Sequence, residues 1–114
     1  MIIRSYNTRI DDVLKIPDLE IYFGDDLQLV TKCHDKYKQA SSLSGYSFEM
    51  RVSNKSDDSL LYTVNGSVSS NIVTYNFDSS NLPSDGHYKY QLYAEDGTEC
   101  VYAFGNLKIN AIIE

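Results

Sequence analysis

Length, composition and charge place the chain among small globular proteins. It has 114 residues, close to the usual size of one domain with one hydrophobic core. Sixteen acidic residues against ten basic ones give a formal net charge of −6 at pH 7, whereas a binder of duplex nucleic acid needs a surplus of lysine and arginine. The negative charge also disfavours docking on an anionic membrane, so we expect neither nucleic acid nor membrane as a partner.

Nothing in the sequence has the pattern of a targeting or membrane-spanning segment. Only two isoleucines stand between the first methionine and the charge at Arg4, far short of the apolar core of a secretory signal. No apolar run approaches the ~18 residues that a membrane helix needs. We therefore expect a chain made in a cytoplasm, with Cys33 and Cys100 as free thiols, since two cysteines are too few for a disulfide scaffold.

Residues 1–18 precede the regular pattern and are expected to form an N-terminal arm or an extra strand. One short helical turn is predicted around Asp11–Leu14, ended by Pro17. From residue 19 onward, apolar residues recur at every second position, as in strands with one buried face. In chain order the predicted strands are Glu20–Phe23, Leu27–Thr31, Tyr46–Val52, Leu60–Val64, Val73–Phe77, Tyr88–Ala94, Cys100–Phe104 and Leu107–Ile109.

Turn residues separate the predicted strands. Asp96-Gly97 is the strongest hairpin signal because both turn positions tolerate positive φ, and Asn65-Gly66 predicts a second hairpin. Short strands with turns at this spacing predict an all-β, immunoglobulin-like sandwich of about seven to nine antiparallel strands. The domain assignment is a single unit over residues 1–114, with the sandwich at 19–110 and a C-terminal tail at 111–114.

The segment from Leu82 to Tyr90 has the spacing of a tyrosine corner. In that motif a tyrosine near the start of a strand turns its ring into the core, and its hydroxyl bonds the backbone a few residues upstream. Tyr88 would be that tyrosine, Leu82 would close the end of the sandwich and Gly86 would allow the tight reversal. The alternative is a plain hairpin with a buried tyrosine. An immunoglobulin disulfide would place its second cysteine at Tyr90, so the corner also indicates that Cys100 is unpaired.

The sequence contains no arrangement typical of an enzyme or a metal site. His34 and His87 each stand near an aspartate at the end of a strand, where a loop histidine is the simpler interpretation. Cys33 and His34 are neighbours on a strand and so point to opposite faces, which prevents them from sharing a metal ion. Paired aspartates such as Asp57-Asp58 are typical turn residues and lack the spacing of a calcium loop. We therefore expect no catalytic, cofactor-binding or metal-binding residues.

The ten tyrosines suggest a binding surface, because tyrosine gives a large contact area at low entropic cost. Alternation turns Tyr93 outward together with Lys89 and Gln91, and Tyr102 on the next strand is expected beside it. This aromatic patch is a candidate surface for a protein or a glycan. The alternative is that these are edge tyrosines with no ligand.

Both ends of the chain are apolar, with Met1, Ile2 and Ile3 at one end and Ile112 and Ile113 at the other. Chain termini are usually polar and frayed, so apolar ends suggest burial against another subunit. The alternative is that both ends pair as strands inside the same sandwich. An added terminal strand would leave an open edge, which proteins tend to cover or pair.

A series of motifs carries a likeness to a known family. Leu-Pro-x-x-Gly-x-Tyr-x-Tyr-x-Leu at 82–92 is followed by Asp96-Gly97, an apolar strand and Gly105-x-Leu-x-Ile109. Upstream stand the alternating strand at 46–52 and the Asp-Asp-Leu-Gln-Leu element at 25–29. Over residues 19–110 this pattern resembles the N-terminal domain of the phage baseplate upper protein family.

The resemblance implies an immunoglobulin-like module of a bacteriophage virion that engages neighbouring protein subunits or forms a homo-oligomer, and that is not an enzyme. This sequence lacks the C-terminal region that in the family carries trimerisation and receptor-binding-protein attachment. A head, neck or tail accessory protein is therefore as consistent with the resemblance as a baseplate protein. The alternative class is a bacterial carbohydrate-binding or adhesin module, which shares the sandwich but usually has a signal peptide and often exposed tryptophan.

Overall fold

Two β-sheets packed face to face make up the protein, whose computed structural model describes residues 1–112. Its ten strands are β1 (Ile2–Thr8), β2 (Leu14–Lys15), β3 (Leu19–Tyr22), β4 (Asp26–Cys33), β5 (Ser47–Asn54), β6 (Leu60–Asn65), β7 (Ser67–Ser69), β8 (Ile72–Asp78), β9 (Gly86–Glu95) and β10 (Glu99–Asn110). A single 3-10 turn spans Ser79–Asn81, and no α-helix occurs within residues 1–112. The four-stranded sheet has the order β1-β4-β8-β7. The six-stranded sheet has the order β2-β10-β9-β5-β6, and β3 also pairs with β10.

The predicted all-β sandwich is confirmed by the central strands. In β5, β8 and β9 every second side chain is buried, as the period-two pattern predicted. Burial of a large apolar side chain stabilises the fold by about 1.5–3 kcal/mol, so the core between the sheets is the main source of stability. Its fully buried side chains include Leu27, Leu29, Met50, Val52, Tyr75, Phe77, Tyr90, Leu92, Tyr102, Leu107 and Ile109.

The topology differs from the antiparallel expectation because the first three strands run parallel to their partners, and two of them come from residues 1–18. Strand β1 runs parallel to β4, and both β2 and β3 run parallel to β10. The predicted helical turn at Asp11–Leu14 is wrong: the chain turns where the Asp12 amide approaches the Arg9 carbonyl at 3.4 Å, and β2 then begins at Leu14. Strand β1 gave no period-two signal because, at the edge of its sheet, only Thr8 among its seven residues is buried.

The Asn65-Gly66 pair does not form the predicted hairpin. It carries the chain from β6 in the six-stranded sheet to β7 in the four-stranded sheet. A Cβ atom at Gly66 would lie 2.7 Å from Val73 Cγ1 and 2.9 Å from Phe48 Cβ, so only glycine fits where the backbone passes over the core. The glycine signal therefore marked a close backbone approach rather than a turn.

Strand β10 replaces the two C-terminal strands that the sequence predicts. It is continuous over twelve residues and pairs with β9 after the hairpin at Asp96-Gly97, which is confirmed. Its register shifts between Val101 and Ala103, a β-bulge that turns both Tyr102 and Ala103 into the core. Gly105 does not interrupt the strand. A Cβ atom at this position would lie 2.7 Å from the Tyr90 hydroxyl oxygen, so the glycine leaves room for that hydroxyl.

Candidate protein-interaction surface

The tyrosine corner is formed at the start of β9. The Tyr88 hydroxyl donates a hydrogen bond of 2.6 Å to the Ser84 carbonyl, and Leu82 is buried in the core. Gly86 has a φ of +143°, which other residues rarely adopt, so it provides the reversal into the strand. Tyr90 is also buried, but its hydroxyl has no hydrogen-bond partner among the described residues. These four residues position β9, whose outer face carries Tyr93.

The prediction that Tyr102 lies beside Tyr93 on the surface is wrong. Tyr102 is fully buried, because the hairpin register places Val101 opposite Tyr93, and the next residue along the strand therefore faces the core. Its hydroxyl lies 2.7 Å from the Tyr75 hydroxyl and 3.0 Å from the Thr31 hydroxyl, forming a polar chain inside the core. Burial raises the pKa of both tyrosines above the ordinary value, so they stay protonated and structural.

Both cysteines are free thiols, as expected. Cys33 is buried, with its sulfur 3.4 Å from the Thr8 hydroxyl, and burial raises the pKa of its thiol. Cys100 is exposed at the start of β10. The two thiols therefore differ in access to solvent.

The Arg51 cluster, formed by Glu49, Arg51, Tyr93 and Glu99, lies on the outer face of the six-stranded sheet. The central carbon of the Arg51 guanidinium lies 3.9 Å from the centroid of the Tyr93 ring, within cation–π range. The guanidinium donates to both carboxylate oxygens of Glu99, at 2.8 and 3.3 Å, and also to Glu49. The Tyr93 hydroxyl donates to Gln91 Oε1 at 2.9 Å. Three neighbouring strands, β5, β9 and β10, thus combine their side chains at one place.

Ion pairing holds the Arg51 cluster in one arrangement. Hydrogen bonds to Glu99 and then to Glu49 raise the pKa of Arg51, and the same contact lowers the pKa of Glu99. Exposed ion pairs contribute little to stability, because water and salt screen them. Their main effect is geometric, because they hold the Arg51 guanidinium against the Tyr93 ring.

Apolar side chains extend the surface around the Arg51 cluster. The half-buried Val101 lies opposite Tyr93 in the strand register, and the exposed Phe104 lies opposite Gln91. Aromatic residues and arginine are enriched at protein interfaces, where a few such side chains supply most of the binding energy. The outer face of β5, β9 and β10 therefore has the composition of a protein-interaction surface.

The apolar N-terminal end belongs to the sandwich rather than to a free arm. Ile2 packs partly against the core within β1, whereas Met1 and Ile3 are 80% and 56% exposed. At the other end, Ile112 is 59% exposed, and the prediction for Ile113 falls outside the described residues. The alternative in which the N-terminal end pairs within the sheet is thus the one observed, with Met1 and Ile3 still open to solvent.

The rest of the described chain offers shallow clefts. Two open clefts of about 480 and 540 Å³ lie at the end of the sandwich, one beside His34 and one beside Cys100. His34 Nδ1 lies 3.0 Å from the Lys32 carbonyl, and His87 is exposed on β9. Residues 1–112 contain no group of three or more histidine, cysteine, aspartate or glutamate side chains placed to hold a metal ion. In the same range, no helix is long and apolar enough to cross a membrane.

The fold is similar to that of a solved phage domain. The N-terminal domain of phage TP901-1 ORF48 matches with a TM-score of 0.63 over 96% of this chain and 99% of that domain, at 9% sequence identity. The likeness establishes the fold. No family model matches the sequence, and no curated protein matches it either.

Sequence reasoning found Tyr93 but missed the charged residues that surround it. Glu49 and Arg51 alternate with buried residues of β5, so their outward position could be inferred from the period-two pattern. Their contact with Tyr93 could not, because it depends on β5 pairing with β9 in a register that places Glu49 opposite Tyr93. Glu99 reaches the cluster only through the β9–β10 hairpin.

Proposed function

We propose that this chain is a non-enzymatic structural module of a bacteriophage virion that joins neighbouring protein subunits. The main support is the structural likeness to a phage domain, which extends over nearly all of both chains. The motifs at 82–92 and 105–109 support the same assignment, since they resemble the phage baseplate upper protein family. The proposal places the mature protein in the virion, in the baseplate, tail, neck or head, after synthesis in the host cytoplasm.

The Arg51 cluster is the surface that we assign to subunit contact. Its arginine and tyrosine are residue types that dominate binding energy at protein interfaces. A partner that covers the cluster would exclude water from the ion pairs and from the cation–π contact, which strengthens both. Phe104 and Val101 would supply apolar contact area beside it.

A carbohydrate-binding or adhesin module is the rival interpretation. Glycan recognition on a sheet commonly uses an open aromatic ring face, and the exposed part of Tyr93 is the feature that favours it. Arg51 covers one face of that ring at 3.9 Å, which leaves less of the ring for a sugar. The Arg51 cluster therefore favours a protein partner.

Incorporation of variants into particles tests the proposal. A phage that carries Tyr93→Ala should incorporate at least about tenfold less of the chain than wild type, because the ring is central to the cluster. Tyr37→Ala is the matched control, since Tyr37 is 72% exposed outside the Arg51 cluster. Equal incorporation of both variants would contradict the assigned surface. Glycan-array binding that Tyr93→Ala abolishes would instead favour the rival interpretation.

A further inference from the structure

Strand β1 forms a long free edge of the four-stranded sheet. Its seven residues, Ile2–Thr8, pair with β4 in parallel, and no other strand within residues 1–112 pairs with its outer side. The opposite edge, β7, has only the three residues Ser67–Ser69. An unpaired strand edge presents a row of N–H and C=O groups that can bind a further strand.

A hydrogen bond at the end of β1 fixes which backbone groups face outward. The Thr8 carbonyl accepts from the His34 amide at 2.8 Å, so the backbone groups of Thr8 face β4. Alternate residues of a strand direct these groups to the same side, and the other even-numbered residues of β1 therefore face β4 as well. Ile3, Ser5 and Asn7 direct their N–H and C=O groups, six in all, to the free edge.

Arg4 provides an independent check and shows how little protects this edge. Its guanidinium donates to the Ile3 carbonyl at 3.0 Å, as expected if that carbonyl points away from β4. Natural edge strands are usually protected by proline, a bulge or several charges. Strand β1 has no proline, one charge and an uninterrupted register with β4. The exposed side chain of Ile3 adds apolar contact area at the same edge.

We infer that two copies of this chain pair through β1, antiparallel about a twofold axis at Ser5. Two four-stranded sheets would then join into one sheet of eight strands. With Ser5 at the centre of β1, the whole strand overlaps its copy: Ser5 faces Ser5 of the second copy, and Ile3 faces Asn7. Each of these pairs exchanges two hydrogen bonds, so all the outward N–H and C=O groups of both strands are satisfied.

Two neighbouring registers would keep each side chain on the same face of the joined sheet, but both are less favourable. A shift of two residues in one direction places Arg4 opposite Arg4 of the second copy, where like charges repel. A shift in the other direction places Ile3 opposite Arg9, beyond the end of β1. The register centred at Ser5 instead places Arg4 opposite Tyr6, which favours a cation–π contact once Arg4 releases the Ile3 carbonyl.

Charge and size also favour a second copy and define the strength of the contact. Each chain carries a net charge of −6, yet β1 contains no acidic residue, so edge-to-edge approach brings no carboxylate of β1 to the junction. A two-strand junction covers less than the ~800 Å² per partner of a standard stable interface, so the dimer is weak and concentration-dependent. It uses the four-stranded sheet and is independent of the proposed function of the Arg51 cluster.

Sedimentation of two variants at Ser5 tests the inference. Ser5→Pro removes an outward N–H while leaving the bonds to β4 intact, because proline is tolerated where the N–H faces solvent. Ser5→Ala keeps the backbone groups and serves as the control. We expect wild type and Ser5→Ala to show a monomer–dimer equilibrium and Ser5→Pro to stay monomeric. A wild-type chain that is monomeric up to about 1 mM, or a Ser5→Pro chain that still dimerises, would overturn the inference.

Disulfide trapping tests the register even if Ser5→Pro fails to fold. In a Cys100→Ser background, Ser5→Cys introduces one cysteine in each copy of the dimer. Their Cα atoms would lie about 5.5 Å apart, a distance that suits a disulfide. With Asn7→Cys the two introduced cysteines would lie about 14 Å apart, because position 7 faces Ile3 of the second copy, four residues away from position 7 of that copy. We expect Ser5→Cys to form a covalent dimer on mild oxidation and Asn7→Cys to stay monomeric. Equal cross-linking of the two variants, or none with Ser5→Cys, would overturn the register.

Discussion

Two tyrosines of β9 should respond in opposite ways to removal of the hydroxyl group. Tyr88 and Tyr90 are 4% and 1% exposed, and they lie two residues apart on the same face. The Tyr88 hydroxyl donates to the Ser84 carbonyl at 2.6 Å, whereas the Tyr90 hydroxyl has no partner among the described residues. Ser84 is exposed and its carbonyl can bond water after the change, so loss of this hydrogen bond costs about 0.5–1.5 kcal/mol, whereas loss of an unpaired buried hydroxyl removes a desolvation penalty. We expect Tyr88→Phe to destabilise the fold by that amount and Tyr90→Phe to leave it unchanged or more stable.

Thermal unfolding followed by circular dichroism measures this difference. An unfolding entropy of about 2.1 cal/mol/K per residue over 114 residues makes 1 kcal/mol equivalent to about 4 °C in Tm. Tyr88→Phe should therefore lower Tm by about 2–6 °C, and Tyr90→Phe should not lower it. If the two variants lower Tm equally, the corner bond contributes nothing beyond the ring, and the reasoning from hydroxyl partners is refuted.

Three further predictions rest on other parts of the structure. Gly66→Ala should destabilise by about 1–3 kcal/mol in urea denaturation, because its Cβ would lie 2.7–2.9 Å from core side chains; a neutral result would contradict the crossover geometry. Glu99 has a pKa lowered by its bond to Arg51, so the stability that it contributes is present above about pH 4.5 and is lost as pH falls through the lowered value. Wild type should therefore lose more stability than Glu99→Gln on acidification to pH 3, and parallel losses would argue against the pairing. A thiol reagent should modify Cys100 rapidly and Cys33 only after unfolding; equal rates in the native state would contradict the burial of Cys33.

The central strands could be predicted from the sequence because they bury one face and expose the other. In Ser47–Asn54 and Gly86–Glu95 each side chain shows by its polarity which sheet face it occupies. The N-terminal strand Ile2–Thr8 lacks this contrast, since an edge strand leaves most of its side chains exposed on both faces. Its parallel partner is also distant in sequence, so no local turn signal could reveal it.

Two errors, the outward position of Tyr102 and the hairpin at Gly66, came from features that a local pattern does not show. The register of the β9–β10 hairpin places Val101 opposite Tyr93, so Tyr102 faces the core, and the bulge that follows turns Ala103 inward as well. Gly66 has the sequence context of a hairpin, yet the space beside it is filled by Val73 and Phe48 from distant strands. The first error depends on the loop length of a hairpin and the second on packing between strands that are far apart along the chain, and a local polarity pattern specifies neither.

Quantitative mass spectrometry of gradient-purified phage particles tests the central claim most directly. Particles from the phage that encodes the chain should contain it at a fixed number of copies relative to the other structural proteins. This ratio should stay constant across density fractions and after a high-salt wash. A chain found in infected cells but missing from purified particles, or present at a ratio that varies between fractions, would contradict the assignment as a virion structural module.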